Sequence, residues 1–188
     1  MNRKESSRDK LIKTASRLFQ LQGYHGTGLN QITKESGAPK GSLYYHFPDG
    51  KEQLAIESVK RTAEFVGEQI KKGLSTSSNA SEAIQNLIYE IAERFEKEGG
   101  KGGVPIASVA LETSLMGGPL RETCQSSYEG FQALFTGKLI ESGFDVERAT
   151  ELGVVINSMI EGAFLLSFTM GNSEPLYLVG KQIPALLK

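Results

Sequence analysis

The chain has 188 residues, 39% hydrophobic and 23% charged, an ordinary globular composition with length for one good core or two small ones. Its formal charge of −1 hides an asymmetry: residues 1–60 carry ten Lys and Arg against six Asp and Glu, the remainder eleven against sixteen, so +4 and −5. That excludes a chain basic throughout and leaves a modestly basic first third, able to face a polyanion, on an acidic body.

The opening MNRKESSRDK has charges but no apolar stretch behind them, so it does not read as a signal peptide. Residues 1–7 are polar enough to fray. From about Ser7 to Gln22 the spacing of Leu11, Ile12, Ala15, Leu18 and Phe19 predicts a helix with one buried stripe, ended by Gly23. Arg3, Lys4, Arg8 and Lys10 either reach phosphates or form a solvated basic end.

The stretch TGLNQITKESGAPKGSLYYHFPDGKEQL, Thr27 to Leu54, organises the rest. Leu29, Ile32 and Thr33 share one face of a short helix that Gly37 stops. Pro39 presets φ for a second helix, Lys40 to His46. Two short helices joined by so tight a turn predict a helix-turn-helix. In the second helix Leu43 and Phe47 pack inward, leaving Lys40, Ser42, Tyr44, Tyr45 and His46 outside. Two adjacent exposed tyrosines need a cover. An ammonium, hydroxyls, phenols and an imidazole suit phosphate oxygens and major-groove base edges. Gly41, without a side chain, lets the first turn approach a backbone or a thymine methyl. The alternative is a plain helical hairpin whose tyrosines pack on a neighbour.

These words, GYHGTGLNQI followed by SGAPKGSLYYHFPDGKEQL, resemble the DNA-binding signature of the TetR family of one-component bacterial regulators, over roughly residues 8 to 60. With PLRETC and INSMIEG further on, the wording is most similar to the LmrA/QdoR-type repressors of that family. The resemblance implies DNA contacts from Thr27, Gly28, Asn30, Pro39, Lys40, Gly41, Ser42, Tyr44, Tyr45, His46 and Lys51. Two positions depart from the pattern: Pro39 stands where many members have Ser or Thr, and Gly50 is an extra residue before Lys51-Glu52.

Asp49 with Glu52 reads as a capping box opening a helix to about Leu74, with Leu54, Ala55, Val59, Ala63, Val66 and Ile70 inward. Roughly 24 residues at 1.5 Å each span about 36 Å, enough to join a DNA-reading head to a separate body. STSSNAS is a loop, and Asn79 with Glu82 reads as a second capping box. Behind it Ile84, Leu87, Ile88, Ile91, Ala92 and Phe95 make an amphipathic stripe. EGGKGG is a flexible loop whose likeness to phosphate-binding loops is superficial, lacking a strand before it and a GK[ST]. Further helices are predicted from Pro105 to Met116, from Pro119 to about Ser142, from Asp145 to about Met170, and from Ser173 onward. Gly180 and Pro184 should bend or interrupt the last. The only cysteine, Cys124, excludes an internal disulfide, fits a reducing cytoplasm and reads as a small buried side chain. The longest apolar runs fall short of a membrane span, so no membrane partner is expected.

The expectation is an all-α protein of about nine helices: a three-helix helix-turn-helix domain over residues 1–50 and a ligand-binding and dimerisation domain over 51–188. The helix from Asp145 is apolar nearly all round and must be buried on two faces. One face suits a second copy, with Gly153, Ser158, Gly162 and Ala163 allowing close approach. The resemblance likewise implies dimers formed through the last two helices, whose paired heads read a palindromic operator. Asn157 and Glu161, four apart, interrupt this apolar wall, as Glu112 does between Val104 and Leu115. Each needs a partner: a structural hydrogen bond, a residue across the dimer, or a ligand. Tyr89, Phe95, Met116, Tyr128, Phe131 and Phe135 either line a pocket or are plain core. The candidate ligand residues are Tyr89, Glu112, Met116, Tyr128, Phe131, Asn157 and Glu161, and the expected effector is a small hydrophobic or aromatic molecule. With both histidines, His25 and His46, in the head and no Ser-His-Asp set, HExxH or Cys/His cluster, neither an enzyme, a metal nor a cofactor is expected.

Overall fold

A computed structural model describes residues 5–99 and 105–188. Among them the chain forms nine helices and no strand: α1 Ser7–Gln22, α2 Leu29–Ser36, α3 Lys40–His46, α4 Gly50–Leu74, α5 Ala80–Lys97, α6 Ala107–Thr113, α7 Gly118–Glu141, α8 Val146–Met170 and α9 Glu174–Leu186. Arg3, Lys4 and residues 100–103 of the EGGKGG stretch lie outside the described residues.

Contacts group the chain into two compact units, the described residues of Met1–Glu64 with Val104–Ser127, and those of Phe65–Gly103 with Tyr128–Lys188. The first therefore holds α1 to α3, the opening of α4, α6 and the opening of α7, whereas a single cut after residue 50 would have placed α6 in the body. Its core is the α1 stripe, Leu11, Ile12, Ala15, Leu18 and Phe19, met by Ile32, Leu43, Phe47, Leu54, Ala55 and Val59, all buried. Ile106, Val109, Leu120 and Cys124 are buried as well, and burial pushes the Cys124 thiol pKa up. Ser6 caps α1 by accepting from the Asp9 N–H at 3.1 Å.

In the second unit the predicted α5 stripe faces inward, with Ile91 only partly covered. Ala92, Phe95, Ala163 and Leu176 form a buried cluster of α5, α8 and α9, ringed by Phe164, Phe168 and Tyr177. Asp145 caps α8 by accepting from the Arg148 N–H at 2.9 Å. Gly153 lies so close to α7 that a Cβ there would strike Thr136 and the Gln132 carbonyl, so this glycine serves packing within the chain. Contrary to expectation, α8 is long and apolar enough to cross a membrane by length and composition alone. Its inner face, Leu152, Ile156, Ile160 and Ala163, is instead buried in its own unit.

Several local expectations are corrected. The box at Asp49 is closed by Gln53, not Glu52: the Asp49 N–H donates to Gln53 Oε1 at 3.1 Å. At the start of α5, Asn79 accepts from the Glu82 N–H as expected, but Ser77 intervenes on the return path. The Ser77 hydroxyl donates to Glu82 at 2.8 Å and accepts from the Asn79 N–H at 3.1 Å. The α6 helix is shorter than predicted, because Ser114 to Met116 form a turn closed by the Met116 N–H on the Thr113 carbonyl at 3.0 Å.

The interruption predicted at Gly180 and Pro184 does not occur; α9 runs through both. Pro184 has no N–H to give the carbonyl four residues back, which is that of Gly180. Gln85 on α5 supplies the missing donor, its Nε2 reaching Gly180 O at 3.0 Å. Gly180 also makes the contact possible, since a Cβ there would lie 2.6 Å from the Tyr89 ring.

Candidate nucleic-acid interface

The turn between α2 and α3 is set by three adjacent residues. Gly37 takes the left-handed conformation, φ 64°, open to glycine at least cost. Ser36 Oγ accepts from the Ala38 N–H at 3.3 Å, and Ala38 is buried. Pro39, at φ −57° and ψ 139°, then stands as the cap before α3 and offers its carbonyl to the Ser42 N–H at 2.9 Å. Two buried anchors, Leu43 and Phe47, hold the seven-residue helix down. Everything else on it faces out: Lys40 and Gly41 are exposed, Ser42 and His46 half-buried. Tyr44 is 64% and Tyr45 81% exposed. The Tyr45 ring meets the His46 imidazole edge-on, centroids 4.9 Å apart. Nothing lies within 4 Å of where a Gly41 Cβ would be, so the first turn of α3 presents bare backbone.

Gly28 and Asn30 at the start of α2 are exposed, and Gly28 gives the helix no side-chain cap. The first amides of α2 therefore have no side-chain acceptor from the N-cap, which suits an anion at that end. Thr27 is a correction to the expected set. It is fully buried, its hydroxyl donating to the Gly23 carbonyl at 2.8 Å, so its side chain folds the loop and does not face a ligand. Lys51 is half-buried, with its ammonium 4.6 Å from the centroid of the Tyr24 ring. Its pKa is lowered by burial and held up by the Glu112 carboxylate. Of the cations on α1, Arg8 is paired with Glu57 at 3.0 Å, over the Phe47 ring, and Arg17 with Glu35.

The candidate ligand residues are divided between the two units. Glu112 lies in the first unit, where its carboxylate accepts from the His25 N–H at 2.6 Å. Met116 is in that unit too and 57% exposed. In the second unit the Tyr128 hydroxyl donates to Glu161 Oε2 at 3.4 Å, and Tyr128 stands edge-on to buried Phe131 at 6.1 Å. Burial raises the Glu161 pKa to about 7, against a smaller downward pull from the Tyr128 bond. Asn157, one turn earlier on α8, is buried. Tyr89 packs on Tyr177 of α9, centroids 5.7 Å apart, and against Gly180. Sequence reasoning missed the loop partners Tyr24 and Glu112. No local pattern signals them, because the contacts that join them to the head are distant in sequence.

Residues 11–57 match the model of bacterial regulatory proteins of the tetR family. Residues 80–182 match that of the LmrA/YxaF-like transcriptional regulator C-terminal domain. The chain belongs to the TetR family of transcriptional regulators. The HTH-type transcriptional regulator YxaF of Bacillus subtilis is 50% identical over 188 residues, covering 100% of this chain and 98% of that one. LmrA of the same organism is 48% identical over 182 residues, 97% of each. Among solved structures, the reduced form of Escherichia coli NemR superposes with a TM-score of 0.85 over 95% of each chain at 22% identity, which speaks for the fold alone. This TetR-family chain is thus a DNA-binding regulator of transcription and not an enzyme.

Proposed function

We propose that the protein is a homodimeric repressor that binds a palindromic operator and is released by a small hydrophobic or aromatic molecule. One observation carries the reading: α3 spends its two apolar anchors on the core and turns a lysine, a hydroxyl, two phenols and an imidazole outward. In the major groove Lys40, Ser42, Tyr44, Tyr45 and His46 would supply phosphate and base contacts. Pro39 and Gly41 would bring the backbone close, with Gly28, Asn30 and Lys51 holding phosphates. Dimerisation is supported by a stripe along α8 of Val154, Val155, Ser158, Gly162, Leu165, Leu166 and Thr169, all exposed, continued by Leu178 on α9. Two heads related by a two-fold axis read two half-sites, and a dimer seated there excludes other proteins from a promoter. That mode of repression suits the cytoplasm.

The effector site is assigned to Tyr128, Phe131, Asn157 and Glu161, an aromatic pair with a buried amide and a carboxyl to orient a planar ligand. Because α4 is one uninterrupted helix from Gly50 to Leu74, a tilt at its end changes where the start lies and with it the spacing of paired heads. The test is recovery of bound fragments from genomic DNA, followed by release with a panel of planar aromatics. A shared inverted repeat and release by at least one stabilising compound support the reading. Stabilisation without release breaks the coupling, and fragments without a shared repeat break the operator assignment.

A further inference from the structure

The loop from Gly23 to Gly28 joins α1 to α2 and decides where the uncapped first turn of α2 lies. Part of its hold is internal. The Gly23 N–H donates to Phe19 O at 3.0 Å, the Thr27 N–H to Tyr24 O at 3.4 Å, and the Thr27 hydroxyl to Gly23 O at 2.8 Å. A further restraint arrives from 87 positions away: Glu112 Oε2 accepts from the His25 N–H at 2.6 Å. The other carboxylate oxygen lies over Gly23, where a Cβ would land on it. The helix that carries Glu112, α6, is tied to the same end of α1, its Ser108 hydroxyl donating to Gln20 O at 3.3 Å. A carboxylate on a backbone N–H is among the stronger neutral-to-ionic hydrogen bonds, and here it is short.

We propose that Glu112 is a positioning residue for DNA binding: it fixes the α1–α2 loop so that Gly28 and Asn30 meet phosphates in the register that α3 requires. The proposal rests on the DNA-reading role of the head. Glu112 does not touch DNA; it acts through the His25 amide. Its attraction for Lys51 is a separate effect, and the variants are chosen to tell the two apart.

The experiment measures full-length wild type, Glu112→Gln, Glu112→Asp and Glu112→Ala against the operator fragment recovered with wild type and against a scrambled duplex. Fluorescence anisotropy is read at several salt concentrations, well below the melting temperature of every variant. Gln keeps an acceptor at the right reach, so it should stay within about threefold of wild type on the operator. Asp keeps the charge but is one methylene short, and Ala keeps neither, so both should lose at least about tenfold on the operator. Because the contacts they lose are to phosphate, both should also weaken the scrambled duplex, while Gln stays within about twofold of wild type on it. If Ala and Asp match wild type on the operator while melting lower, Glu112 is only structural and the proposal is overturned. If Gln and Ala behave alike while Asp resembles wild type, charge near Lys51 is what matters and the proposal is equally overturned. A wild type that does not distinguish the two duplexes removes the DNA-reading role first, and this inference falls with it.

Discussion

The exposed side chains of α3 and those of α8 differ in one respect that separates two tasks. On α3 the large exposed groups, Tyr44 and Tyr45, each end in a hydroxyl and stand among Lys40, Ser42 and His46. On α8, beyond its charged first turns, the large exposed groups are Val154, Val155, Leu165, Leu166 and Met170, without a polar tip among them. The first surface is made for a wet, charged partner, and the second asks for another apolar surface. Substitutions on the two should therefore fail in different assays.

The largest effect should come from breaking the apolar face. Leu165→Lys places a charge in the centre of the proposed dimer contact, so the protein should sediment as a monomer while keeping its helicity. Losing the second half-site should weaken operator binding by at least about a hundredfold, or ~2.8 kcal/mol at 1.4 kcal/mol per tenfold. An intact dimer with unchanged affinity would dismiss α8 as the interface. Phe164 and Ile160 are poor probes of this question: Ile160 is buried and Phe164 packs on the inner cluster, so charges there would unfold the unit itself.

On the other surface, Tyr44→Ala and Lys40→Ala should leave the dimer and the melting temperature alone. Tyr44→Ala, as a base contact, should cost roughly 1–3 kcal/mol at one operator position. Lys40→Ala, as a phosphate contact, should weaken all sequences and shallow the salt slope by about one. Anisotropy titrations against single-base operator variants at three salt concentrations separate the two roles.

The contrast also explains what could be read in advance. The head is legible because its signals are local: the Gly37 stop, the Pro39 start and the Leu43–Phe47 anchors all lie within eleven residues, and the resemblance adds Gly28 and Asn30. Thr27 was misplaced because a hydroxyl at a loop's end looks alike whether it faces DNA or the Gly23 carbonyl. In the body the helices were legible from their stripes and caps, such as Asp145 before α8. Partners were not, because periodicity gives a residue's face but not its neighbour. Glu112 has the polarity of a ligand residue and binds a head amide instead. The stripe on α8 likewise did not disclose which glycine faces α7, Gly153, and which faces open space, Gly162.

A middle-sized effect should appear only in the body and only as a function of pH. The folded pKa of Glu161, about 7, lies above its ordinary value of 4.5, so the folded state keeps the proton longer than the unfolded chain does. That contribution is fully present below pH 4.5 and is lost as pH rises through about 7. Discounted for partial exposure, it should amount to about 2 kcal/mol between pH 5 and pH 8. Urea unfolding across that range should show wild type losing stability with pH and Glu161→Gln nearly flat over it. Equal slopes for the two proteins would refute the assignment of the proton to Glu161.

The smallest effect belongs to α9, and it tests whether a body contact can replace a local signal. Pro184 leaves the Gly180 carbonyl without its helical donor, and Gln85 Nε2 fills the gap at 3.0 Å. Gln85→Leu should strand that carbonyl and cost about 1–2 kcal/mol in urea unfolding. Pro184→Ala restores an N–H at the position the helix expects, so by itself it should change stability little. Combined with Gln85→Leu it should recover most of the loss, because one carbonyl is then served by the helix. The two substitutions should thus couple by most of that loss, about 1 kcal/mol or more, in a double-mutant cycle. Strict additivity would mean that α9 persists through the proline for reasons of apolar packing, with Leu176 and Ile183 holding the helix and Gln85 incidental to it.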